Sequence, residues 1–361
     1  MTDPKTEDGP APDSGKAPAR KSRSPRRRYV WLAVIALVVI GLWSTYWAIA
    51  RGMAQDLLHN AVAVARANGQ EIACGRESLS GFPFHFELSC APLGLDDGQG
   101  RTLEAEGFRA VALAYDPRHV ILEADAPLTV SGVSPAGLPG RDLLATWQNA
   151  RASAHFGDTG IDRAAMELSA PQILLAEGAE DPAPIALIAA QDAQVHLRAA
   201  PDGSGDADIA VSGSEVALPA FNMPLEMALV ARLDEGTRLL DGSGADLAAL
   251  LSRPDALKVT SIDVTGEGFA LRASGTLSLD EKRRLQGELP LTVTGADRLP
   301  ALLAPLFPEG SNASVALAGA IMAFGRPAEL DGEQAVTVPL AFRDGVARVG
   351  LIPIAPLRPV M

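Results

Sequence analysis

The residues able to do chemistry in this chain are few. Cys74 and Cys90 are the only cysteines among 361 residues. They close a short loop, and an intramolecular disulfide contributing about 3 kcal/mol under the loop-entropy account is the first reading. Two unpaired, small, buried side chains are the alternative. A zinc site does not follow, because neither a Cys-x-x-Cys nor a histidine pair accompanies them. The histidines (His59, His85, His119, His155 and His196) are scattered and form no His-Glu-x-x-His. No Gly-x-Ser-x-Gly elbow and no Ser-x-x-Lys pair occurs, although a triad assembled in space would leave no such trace. Asp202, Asp206 and Asp208 surround a Gly-rich turn and carry calcium-loop donors. Their spacing departs from the EF-hand and its terminal Glu is missing, so a solvated turn is expected. Gly242-Ser243-Gly244 lacks the rest of a dinucleotide fingerprint and reads as a loop into a short helix. Asn312-Ala313-Ser314 matches a glycosylation acceptor, whose use depends on the host. No metal, cofactor or catalytic residue is assigned.

The densest aromatic cluster in an aromatic-poor chain is Gly81-Phe82-Pro83-Phe84-His85-Phe86. Extended, it places Phe82, Phe84 and Phe86 on one face, where they pack in the core, plug an apolar groove or touch lipid. Core packing is the default expectation, with His85 pointing the opposite way, to the surface.

Residues must be carried to their compartment before they act. Tyr29 to Ala50 run for 22 residues without a charge, directly after Arg26-Arg27-Arg28. About 20 apolar residues in helical form cross a bilayer. Trp31 near one edge and Trp43, Tyr46 and Trp47 near the other suit the headgroup zones, and the arginines hold the N-terminus in the cytoplasm. Ala48-Ile49-Ala50 also fits a signal-peptide cleavage site. The apolar run is longer than a signal core, and Met53, Leu57, Ala61 and Val64 continue at helical spacing to a cap at Gly69, so an uncleaved anchor is preferred. The segments are a disordered basic tail (1–28), a transmembrane helix (29–50), a juxtamembrane stalk helix (51–69) and two β-rich lobes (70–235 and 236–361). The stalk also reads as the first helix of the exported body.

That body is acidic. The whole chain carries −13, and without its basic tail −17, which argues against nucleic acid and against broad adhesion to anionic lipid. Its pattern is β. Phe269, Leu271, Ala273, Leu277 and Leu279 share one parity while Arg272, Ser274, Thr276 and Ser278 share the other. Leu285, Leu289, Leu291 and Val293 return after Glu281-Lys282-Arg283, completing a hairpin. Val336 to Phe342, Asp344-Gly345 and Val349-Gly350-Leu351 form a second. Strands are also expected at 107–115, 120–130, 191–199 and 208–216. Short helices are expected at 142–152 (with Leu143, Leu144 and Trp147 inward), 245–251 and 299–307.

The Trp31/Trp47 anchor, Gly81-Phe82-Pro83-Phe84, Tyr115-Asp116-Pro117, and Phe342-Arg343-Asp344-Gly345 with Ile352-Pro353 carry a resemblance. The chain resembles the alphaproteobacterial envelope family known as domain of unknown function 2125, from about residue 30 to the C-terminus. That resemblance implies neither an enzyme activity nor catalytic residues. The meanders are also similar in style to AsmA-like envelope proteins, whose strands fold into a groove associated with lipid movement.

The reading is a mainly β protein: a transmembrane helix, then an extended amphipathic antiparallel sheet forming either a groove or a filled sandwich. It is expected to be a non-enzymatic, single-pass inner-membrane protein with its C-terminal domain in the periplasm. There it binds lipid or another apolar ligand along a face of Phe82, Phe84, Phe86, Phe269, Leu271, Leu277, Leu279, Leu289, Leu291 and Val293. A structural adaptor binding other envelope proteins is the second reading, and an enzyme with an unrecognised site the third.

Overall fold

The computed structural model describes residues 25–132, 141–177, 181, 183–219, 221–241, 245–295, 298, 300, 304, 313–350, 352–357 and 359. Residues 1–24 of the basic tail, the Gly242-Ser243-Gly244 loop, Asn312 and most of the helix expected at 299–307 lie outside that set. Two compact units are present, 1–50 and 51–361.

Helix α1 spans Pro25–Ala67 without a break, so Arg26, Arg27 and Arg28 are helical. It alone among the described residues is long and apolar enough to cross a membrane, with a mean hydropathy of 2.1 over its most apolar window and 6% of that window buried. Trp31 is 61% exposed, and Trp43 stacks at a tilt on Tyr46 with centroids 5.4 Å apart. Trp47 is buried. Gly69 ends the helix at φ 80°. Its N–H bonds to Arg66 O at 3.0 Å and that of Gln70 to Ala65 O at 2.9 Å, the paired C-terminal bonds for which glycine is favoured.

The second unit is one antiparallel sheet of 21 strands that does not close. Its first part holds β1 (Glu71–Cys74), β2 (Glu77–Ser80), β3 (His85–Cys90), β4 (Leu93–Asp96), β5 (Thr102–Leu113) and β6 (Asp116–Ser131). Next come β7 (Asp142–Thr146), β8 (Asn149–Phe156), β9 (Ile161–Ser169), β10 (Gln172–Ala176), β11 (Ile185–Ala189), β12 (Asp192–Ala199), β13 (Ala207–Val216) and β14 (Leu225–Leu233). After the short α2 (Leu247–Leu251) follow β15 (Leu257–Gly266), β16 (Phe269–Leu279) and β17 (Leu285–Thr294). Helix α3 (Ala313–Phe324), β18 (Arg326–Leu330), β19 (Glu333–Arg343), β20 (Val346–Val349) and β21 (Ile352–Pro356) complete it.

β5 carries β3 and β4 end to end on one edge and β6 on the other. β6 carries β7 and β8 end to end, and these pass to β10 and β9, then to β11 and β12. From β12 the sheet advances one strand at a time through β17 to β19. The interruptions fall side by side: Ala126 in β6, Trp147-Gln148, Ala170-Pro171, Ala190-Gln191, and the bulge between Gly213 and Val216. They are bonded across by Trp147 Nε1 to Ala124 O at 2.9 Å, Gln148 N to Ser169 O at 2.9 Å and Ala170 N to Gln191 O at 2.7 Å.

Beside this crease β7 and β10 are apolar on both parities: Leu144 is the buried residue of β7, Leu175 and Ala176 are both buried in β10, and Ile173 is 40% exposed. The register of β7 and β8 against β10 and β9 is the same on both sides of the break, with Thr146 opposite Gln172 and Asn149 opposite Ser169. Against β6 the β7–β8 segment runs one residue longer, between Leu128 opposite Ala145 and Glu123 opposite Arg151, which is a bulge at the crease. This overturns the helix expected at 142–152, which is β7, a break and β8. Leu143, Leu144 and Trp147 mimicked a helical stripe because β7 is apolar on both parities and Trp147 falls in the break.

Helices cover the ends of the apolar face. Ala318 and Ile321 of α3 pack on Val293, Val338 and Val349, all at most 4% exposed. Ala248 and Leu250 of α2 are buried as well. Between the ends the cover thins: Met166 and Val211 are 38% and 37% exposed.

Candidate functional site

The stretch of α1 beyond residue 50 lies over the first strands. Leu58, Val62 and Arg66 recur every four residues, as do His59 and Ala63, so the two rows share one helical face. Across from them stand Ile72 and Cys74 of β1, Leu88 and Cys90 of β3, Leu93 and Leu95 of β4, and Phe108 of β5. Between helix and strands is a cavity of ≈ 590 Å³ with a mainly apolar lining. Such a volume is in the usual range for small-molecule sites, about 300–1,000 Å³. Its polar groups are His59, Arg66 and Glu77.

The cavity wall contains the cross-link. Cys74 and Cys90 form a disulfide with Cα atoms 5.5 Å apart. Cys74 lies opposite Leu93, and Cys90 opposite both Glu77 and Phe108. The bond therefore ties β1 to β3 across a junction where the chain passes from β3 to β4. Nearby, Gly98 (φ 69°) approaches the helix cap so closely that a Cβ there would collide with Gly69 O.

The aromatic cluster does not share one face. Phe82, Pro83 and Phe84 form a turn, and Phe86 alone of the three phenylalanines is in β3. Phe82 and Phe84 are 56% and 66% exposed, which corrects the expectation of core packing for them. Ala114 N bonds Phe84 O at 2.8 Å, placing the turn beside the exposed Tyr115. His85 lies 3.6 Å from Glu87 and is partly exposed.

Of the other apolar residues singled out from the sequence, Leu279, Leu289 and Val293 are buried. Leu289 packs with Val259 and Ala273, and Leu277 leans on that cluster. Leu271 and Leu291 pack against the cluster under α3. Phe269 is half-buried, opposite Gly266.

The aspartates of the Gly-rich turn are engaged by N–H donors. Asp202 accepts from Ser204 N at 3.1 Å and from Arg232 at 2.7 Å. Asp206 accepts from Glu235 N at 3.2 Å, and Asp208 from Arg198 and Arg232 at 3.1 and 2.8 Å. Bonds from the Ser204 hydroxyl and backbone, then from Arg232, lower the Asp202 pKa to about 2. Arg232 above all depresses Asp208. Among the described residues no group of three or more His, Cys, Asp or Glu could hold a metal ion. His119 and His155, far apart in sequence, stand directly opposite each other on β6 and β8, and His155 lies 3.6 Å from Asp162. Sequence spacing carried no sign of that pair.

The profile of a family described as an uncharacterized protein conserved in bacteria (DUF2125) matches residues 47–358. No curated protein matches the chain. The chain belongs to the DUF2125 family.

Proposed function

We propose that this family member is a non-enzymatic, membrane-anchored protein that holds a lipid or another apolar ligand between its stalk and its sheet. The anchor fits α1, whose apolar part is long enough for a span. In this reading the protein is single-pass in the inner membrane, with a cytoplasmic N-terminus and a periplasmic sheet serving envelope maintenance or transport. The disulfide supports an oxidising compartment. The observation that carries the reading is the ≈ 590 Å³ cavity, with aliphatic and aromatic walls and Arg66 and His59 on its helix side. An acyl chain there gains about 0.8 kcal/mol for each buried methylene, and Arg66 offers charge to an anionic headgroup. The similarity in style to AsmA-like proteins is part of this proposal.

The test is native mass spectrometry of the full chain purified from membranes in mild detergent. Co-purifying phospholipid is expected from the parent protein and not from Ala63→Trp, which fills the cavity from an exposed helix position. Equal lipid retention by a folded Ala63→Trp protein would remove the cavity from the account. A C-terminal alkaline phosphatase fusion is expected to be active, and an inactive fusion with an active cytoplasmic reporter would reverse the topology.

The open sheet favours a second reading. Its unclosed edges can accept a strand from another envelope protein, and Ile185 on β11 is 47% exposed. A lipid-free protein that captures an extended peptide at β11 would favour it.

A further inference from the structure

One transverse row on the polar face breaks the rule of charge alternation. Arg163 of β9 stands directly opposite Arg198 of β12, and Arg198 stands opposite Asp208 of β13. Asp208 is opposite Arg232 of β14, which is opposite Lys258 of β15. Like charges directly across a strand pair are destabilising, and the row contains two such pairs. It does so in a chain with 44 acidic against 31 basic residues, where a carboxylate at either site would be the ordinary solution. Asp208 bridges Arg198 and Arg232, and Asp202 takes a second bond from Arg232. Arg163 and Lys258, at the two ends, have no ion pair among the described residues.

Above the row lies an open cavity of ≈ 620 Å³, with His196, Val230 and Thr260 also in its wall. Four cations thus face two carboxylates in a body that is otherwise negative. Adjacent strands are about 4.8 Å apart, so the row spans about 19 Å and the centres of its like pairs lie about 14 Å apart. Guanidinium groups bind phosphate oxygens through paired N–H donors, and lysine adds a point charge. An anion with one phosphate at each pair would relieve both repulsions.

We infer that the row Arg163, Arg198, Arg232 and Lys258 is a binding site for a multiply phosphorylated anion, separate from the cavity under α1. Its phosphates belong either to a lipid headgroup or to a soluble compound. The proposal stands whether or not the apolar cavity holds lipid, and Ala63→Trp is expected to leave it intact.

Linear inorganic polyphosphate, long enough to lay one phosphate at each like pair, is the probe, titrated calorimetrically into the full chain in neutral detergent at low salt. The parent protein is expected to bind, with affinity falling as salt rises. Arg163→Ala/Lys258→Ala is expected to bind at least tenfold more weakly. Arg326→Ala/Arg348→Ala removes the same charge elsewhere and is expected to bind as the parent does. The polyphosphate is expected to raise the melting temperature of the parent and not that of Arg163→Ala/Lys258→Ala. Without the anion, that variant is expected to melt no lower than the parent, because it removes repulsion rather than an ion pair. Absence of binding, equal loss in both double variants, or undiminished binding by Arg163→Ala/Lys258→Ala would overturn the site. In nanodiscs, phosphatidylglycerol that abolishes polyphosphate binding where phosphatidylcholine does not assigns the row to lipid headgroups. Persistence in both assigns it to a soluble phosphate compound.

Discussion

Reducing the Cys74–Cys90 bond gives a sharp local test of how the cavity is held. The cysteines are 16 residues apart, and a loop of that size carries about 3 kcal/mol of closure entropy at 25 °C. The wall it secures is thin: β1, β2 and β4 each have four residues, and β1 pairs with β4 alone. Opening of such a short unit is separable from global unfolding. At about 1.4 kcal/mol per factor of ten, amide protection over β1 to β4 is expected to fall about a hundredfold in Cys74→Ser/Cys90→Ser. Hydrogen exchange with mass spectrometry on the full chain reads this segment by segment. Protection in β14 to β19, whose pairing does not involve the bond, is expected to hold. Unchanged exchange over residues 71–96 would refute the argument, as would an equal loss across the whole sheet. Bound lipid, if the cavity holds it, is expected to dissociate faster from the reduced protein.

Other consequences are measurable. Ile321→Ala removes a 3% exposed side chain from the α3 contact and is expected to cost about 2–5 kcal/mol in urea unfolding. Gly98→Ala forces a Cβ against Gly69 O at a left-handed φ, with an expected loss of about 1–3 kcal/mol, seen as early exchange of the helix end. Acid sensitivity should pass through the Gly-rich turn. The Asp202 and Asp208 carboxyls are depressed from 3.8, so the stability they confer is present above that value and lost as pH falls through their lowered pKa values, about 2 for Asp202. Asp202→Asn is expected to flatten the fall in urea midpoint across that interval.

Where alternation was unbroken, the fold could be read from sequence. The strands of 269–294 and 336–349 keep a strict period, and β16, β17, β19 and β20 occupy them. Gly69 was legible because a helix cap and a left-handed glycine coincide. What was lost shared a cause: patterns that depend on more than one segment. The break at Trp147-Gln148 makes sense only beside Ala170 and Gln191. Helix α3, Ala313–Phe324, has no charged residue and therefore no polar stripe to betray its period. Phe82 and Phe84 were read as strand residues because the turn at Pro83 looks locally extended. The cavity joins Leu58 and Val62 to Leu93 and Phe108, each an unremarkable aliphatic or aromatic position in its own stretch. Arg163 and Lys258 come from strands almost 100 residues apart, so only the register exposes their kinship.

The crease also limits how such a gene can change length. Deleting one codon at Gln148 would leave β7 in place and present Ala150, Ala152 and Ala154 to water, with Arg151 and Ser153 turned inward. The neighbouring strands would then need matching losses near Ala170 and Ala190 to restore agreement. Insertions and deletions along this line are therefore tolerated in concert or at the open turns, and families sharing the crease should keep its strand lengths while their turns vary.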